Sequence, residues 1–113
     1  MIEITVLQYL ENELDMPVYA EKPENPESEY ILIERTSGGY TNHISRATMA
    51  VQSYADSMLR AAQINSAVER TMRGIISDPT VSRCELNSSY NFTDVSSKKY
   101  RYQAVFDIVY MED

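Results

Sequence analysis

The chain has 113 residues, with one cysteine, one histidine and a formal net charge of −7. That length fits a single domain over residues 1–113, and no apolar run approaches the ~20 residues that a membrane-spanning helix needs. One Cys and one His exclude an internal disulfide and a four-ligand zinc site, and the scattered basic residues give no patch for direct nucleic-acid binding.

Residues 2–14 predict an amphipathic helix. Ile2, Val6, Tyr9 and Leu10 fall on one side, and Leu7 and Leu14 widen the stripe. Acids crowd its C-terminal end, which suits the helix dipole poorly and predicts fraying there. The N-terminal segment from Met1 to Asp15 carries acids where a signal peptide would carry basic residues, so synthesis and use in a cytoplasm are expected. Met16-Pro17 ends the helix, because proline disfavours the α conformation in the residue before it. A short strand over Pro17–Glu21 and a proline-bearing loop from Lys22 to Glu29 follow.

Tyr30–Thr36 reads as a strand with apolar residues on both faces. Ser37-Gly38-Gly39 supplies turn chemistry, and the stretch to Asn42-His43 reads as a loop or hairpin tip. Ile44–Tyr54 alternates as a half-buried antiparallel strand. Ala55–Ile76 carries an apolar stripe at helical spacing, with Asp56 and Ser57 suited to its start. Its stripe runs through Met58, Ala61, Ala62, Ile64, Val68, Met72, Ile75 and Ile76, and packing on a sheet is the expected use. Gly74, Ser77, Asp78 and Pro79 close the helix. Two strands end the chain, Thr80–Phe92 and Lys98–Tyr110, the second long enough for one end to project beyond the core. The order α-β-β-β-α-β-β predicts an α+β fold: an antiparallel or mixed sheet with two helices packed on it.

No catalytic pattern is present. The chain lacks a G-x-S-x-G elbow, a phosphate-binding glycine loop, H-E-x-x-H and an EF-hand loop. No catalytic residue, cofactor or metal site is therefore expected, and Cys84 reads as a small core hydrophobe in a strand. Nine tyrosines and no tryptophan stand out. Tyrosine buries area while keeping a polar tip, which suits surfaces that are wet before assembly and dry after it. Ordinary strand propensity is the competing explanation.

The sequence of elements and a loose motif set resemble a known family. The matching pieces are Pro17-Val18-Tyr19, the run from Tyr30 through Thr36 into Ser37-Gly38-Gly39, Ala50 to Ser57, and Ala61-Ala62. They resemble the tail terminator and tail completion proteins of long-tailed bacteriophages. The resemblance implies a virion neck protein, not an enzyme, made in the bacterial cytoplasm. It would cap the tail tube as a hexameric ring of its own copies, ending tail polymerisation. Its partners would be the tail tube protein and a head-side connector or stopper. DNA would pass through the channel without specific binding, and an acidic wall would let it slide. Closing a ring needs a heterologous contact between copies. Candidate interfaces are the Ser37–His43 loop, with Ser37, Gly38, Gly39, Tyr40 and His43, and the turn leading into Lys98, Lys99 and Tyr100. Alternatives are a head completion or stopper protein, which tends towards a small β-barrel, and a small α+β ligand- or peptide-binding module with an apolar pocket.

Overall fold

A computed structural model describes residues 1–96 and 99–111. The elements are α1 (Ile2–Leu14), β1 (Val18–Tyr19), β2 (Tyr30–Thr41), β3 (Ile44–Ala55), α2 (Met58–Met72), a 3₁₀ turn (Arg73–Ser77), β4 (Val81–Asn91) and β5 (Tyr100–Tyr110). This is the expected α+β fold in the expected order. The five strands form one mixed sheet, β1-β2-β3-β5-β4, parallel only between β1 and β2.

Both helices lie on one face. Ile2, Val6 and Leu10 recur every four residues on α1, and Ala61, Ile64, Val68 and Met72 recur every three or four on α2. They bury against Ile31 and Ile33 of β2, Met49 and Val51 of β3, and Ala104, Phe106 and Ile108 of β5. These strand positions are cross-strand neighbours in register, so alternation along each strand aims them at the helices.

The ends of the helices follow local chemistry. Ser57, in extended conformation, caps α2 by accepting the Arg60 N–H at 3.1 Å. The acidic end of α1 holds as far as Leu14 instead of fraying. Asp15 closes it in the left-handed conformation with φ 51°, its N–H donating to the Glu11 carbonyl at 3.0 Å. The second helix is shorter than its apolar stripe suggested. It tightens to a 3₁₀ turn at Arg73, which turns Ile75 inward and leaves Ile76 outside. Gly74 lies in that turn because Tyr9 needs the space. Tyr9 Oη donates to the Thr71 carbonyl at 2.7 Å, and a Cβ on residue 74 would stand 2.6 Å from that hydroxyl.

The largest correction concerns the β2–β3 hairpin. Ser37-Gly38-Gly39 does not turn. It continues β2 past a bulge between Arg35 and Ser37, and neither glycine there takes a positive φ. The turn is Asn42-His43, with φ 53° and 66°, the two left-handed residues of a tight two-residue hairpin loop. β1 is also shorter than Pro17–Glu21, and β4 is a largely exposed edge strand with two bulges.

Candidate assembly surfaces

The residues singled out in the sequence fall into two groups, and the fold keeps them apart. Tyr40 pairs with Ser45, and Ser45 with Tyr110, at one end of the sheet. Lys99 and Tyr100 stand at the other, where Tyr100 pairs with Ala55. The full length of β5 lies between them, ~33 Å at the usual rise per residue.

At the hairpin end, Tyr40 is 66% exposed and its hydroxyl lies 3.1 Å from His43 Nδ1. The two rings meet edge to face. Beside them a shallow cavity of about 450 Å³ is lined by Met1, Ile2, Thr5, Tyr40, Tyr110 and Met111. Met1 and Met111 are exposed, so this end offers apolar surface that water covers.

Ser37, Gly38 and Gly39 are set back from that tip. They border a groove of about 480 Å³ on the sheet face opposite the helices, with Arg46, Arg83, Glu85 and Asp107 around it. Its charges are partly matched internally. Asp107 accepts from Thr48 Oγ1 at 3.1 Å and from Asn87 Nδ2 at 2.9 Å, and Arg83 pairs with Glu85 at 2.6 Å.

At the opposite end Lys99 is engaged inside the chain. Its Nζ donates to the Ser28 carbonyl at 2.6 Å and to Asp56 at 2.8 Å. Arg60 holds Glu29 through two bonds of 2.7 and 3.1 Å, which keeps the Glu29 carboxyl below its ordinary value. Together these pin the proline-bearing segment across the start of α2. Tyr100 is exposed, and Lys98 lies outside the described residues. The basic turn expected from Lys98, Lys99 and Tyr100 is thus, at Lys99, an internal clasp.

The sequence did not disclose a polar chain on the face opposite the helices. Tyr30 stacks on Tyr54 with ring centres 4.5 Å apart. The Tyr54 hydroxyl donates to Gln52 at 3.0 Å, Gln52 to Gln103 at 2.8 Å, and Gln103 to the Tyr90 hydroxyl at 2.6 Å. Arg101 donates to the Tyr54 hydroxyl at 2.9 Å and lies over the Phe92 ring, 4.4 Å from its centre. Gln52 and Gln103 are buried although no helix covers this face among the described residues. Their partners are remote in sequence, so only strand register brings them together.

Chemistry elsewhere is sparse. Burial, helped by Asp107 and Glu85, pushes the Cys84 thiol up to about 11, which keeps it protonated near neutral pH. Among the described residues no group of three or more His, Cys, Asp and Glu is placed to hold a metal. No helix there is long and apolar enough to cross a membrane.

No family model and no curated protein matches the chain. Among solved structures it is similar to a chain described as "Virion of native gene transfer agent (GTA) particle". The two are 14% identical, the likeness covers 98% of this chain and 95% of that one, and the TM-score is 0.44. A likeness of that depth decides neither fold nor function.

Proposed function

We propose that this chain is a non-catalytic structural protein of a long-tailed bacteriophage, the tail terminator that caps the tail tube as a ring. The observation that carries the reading is the separation of two unlike surfaces at opposite ends of one rigid sheet. The end bearing Tyr40, His43, Met1 and Met111 is exposed and mixed, with methionine side chains beside hydroxyls and an imidazole. The other is tied down by the Arg60–Glu29 and Lys99–Asp56 pairs. A protein that joins two different structures needs two such ends, whereas an enzyme needs one convergent site.

The sequence motifs described above support the same reading. In it, copies form a hexameric ring, one end meets the tail tube protein and the other a head-side connector, and DNA passes through the ring unbound. The 15-residue helix across the sheet favours a terminator over a stopper, since stoppers tend towards small β-barrels.

Deleting the gene from a producing phage or prophage and viewing lysates by negative-stain electron microscopy tests the proposal. Overlong or unjoined tubes beside filled heads are expected. Normal tails beside heads that leak DNA would reassign the protein to the head side, and intact infectious particles would remove it from the neck.

A further inference from the structure

The sheet has two free edges. On one side β1 covers β2 only at Ile31 and Leu32, so β2 runs on from Ile33 to Thr41 with no strand beside it among the described residues. On the other, β4 is outermost over its whole length, Val81–Asn91. Each edge presents a row of backbone N–H and C=O groups, a template for another strand.

The two edges are complementary in direction. β2 is antiparallel to β3, β3 to β5 and β5 to β4, so β2 and β4 run in opposite senses within one copy. Copies placed side by side by rotation about an axis along the strands would bring β2 of one against β4 of the next as an antiparallel pair. The level of contact also follows from the ladders. Ser37 pairs with Thr48, Thr48 with Asp107 and Asp107 with Glu85, so Ser37 and Glu85 stand at the same height.

The side chains fit that arrangement. On the open face Ser37 and Gly39 make the β2 edge narrow at this height, and a Cβ on Gly39 would meet no atom within 4 Å, while on the helix face the Arg35 side chain lies over Gly38. The neighbour's Arg83 and Glu85 are exposed and large enough to cover that bare stretch. Gly39 pairs with Arg46, Arg46 with Val109 and Val109 with Arg83, which puts Arg83 of the next copy level with Gly39. Leu86 adds an exposed apolar side chain to the β4 edge, 45% accessible with no neighbour present.

We infer that the partner of the β2 edge from Ser37 to Thr41 is the β4 edge of a second copy of this chain, joined antiparallel with Ser37 beside Glu85. The contact is heterologous, so it repeats from copy to copy and closes where the rotation allows. This rests on the ring proposed above only for closure, and the pairing stands or falls by itself.

Disulfide trapping tests it on the purified full chain with Cys84→Ser. Ser37→Cys is combined in turn with Arg83→Cys, Glu85→Cys and Asn87→Cys, all at exposed positions. Paired strands bring facing residues to ~4.5–5.5 Å, within the span of a disulfide. Mild oxidation should give a ladder of linked species beyond the dimer, strongest for Ser37→Cys with Glu85→Cys. Ser37→Cys alone should stay monomeric. A dimer from Ser37→Cys alone would mean that two β2 edges pair, and a ladder no stronger than monomer background in all three pairs would overturn the contact. A ladder together with normal tails in the deletion lysate would keep the pairing and reject the tail role. Absence of a ladder with overlong tails would do the reverse.

Discussion

The two faces of the sheet hold the same strands together by different means. The helix-covered face is a continuous apolar layer, in which Ile33, Val51, Ala104 and their neighbours meet α1 and α2. The open face buries Tyr30, Tyr54, Gln52 and Gln103 in a chain of hydrogen bonds and a ring stack. An apolar layer stabilises in proportion to area and tolerates exchange of similar side chains. A hydrogen-bonded chain stabilises little on balance but is costly to leave half-made, so it punishes any slip of β3 against β5. One face supplies stability and the other fixes the register on which both free edges depend.

That division can be broken at its strong side first. Phe106→Ala opens a cavity under α2 and should cost ~3–5 kcal/mol, read from urea unfolding. Gln103→Ala strands the buried Gln52 amide and should cost ~1–3 kcal/mol. Among Gln52→Leu, Gln103→Leu and the two combined, the double variant should cost less than the sum of the singles, because each single leaves the other amide unpaired. If the double variant is instead the sum of its parts, the two amides do not act as a unit.

Gly74→Ala should cost ~1 kcal/mol by displacing the Tyr9 hydroxyl from the Thr71 carbonyl. Tyr9→Phe in the same chain should make the added methyl nearly neutral, since the clash is with that oxygen. The smallest effect is at the surface. Arg60→Gln should lower stability only slightly, and less in high salt, because the Glu29 pair is exposed. Acid acts on the same clasp. The Glu29 carboxyl is held below its ordinary 4.5 by the Arg60 bond, so its stabilising effect is complete above that value. It is lost as pH falls through the lowered value. Asp78, lowered from 3.8 by Thr80, behaves alike. Acid titration followed by circular dichroism should show the wild type losing stability more steeply than Arg60→Gln below about pH 4.5.

Much of the fold was legible because its periodicities are long. The α1 stripe, the alternation of β5 and the serine cap of α2 each follow from local spacing, whereas β3, expected to be half-buried, alternates only as far as Met49 and is buried on both faces from there to Ala55 because it lies in the middle of the sheet. The hairpin misled because two adjacent glycines look like a turn, while the residues that turn are Asn42 and His43. Asparagine's tolerance of the left-handed region was the available signal, set in a two-residue gap between Thr41 and Ile44. Ile76 misled because helical spacing assumes an α-helix, and the chain tightens at Arg73. The candidate surfaces were legible only in part. Tyr40 and His43 do meet at an exposed tip, but the partner of Lys99 is Asp56, which no local pattern foretells. The Gln52–Gln103 bond joins residues 51 apart, and one amide in a strand looks like any other until the register is known.

The unbroken ladder between β3 and β5, from Ser45 against Tyr110 to Ala55 against Tyr100, has a mechanical consequence. A pull along the strands loads all its rungs in shear at once. A pull across them opens the ladder one rung at a time, like a zipper. The domain is therefore stiff in the direction that joins its two unlike ends and weak at right angles to it. Single-molecule stretching from residues at those two ends would meet its greatest resistance.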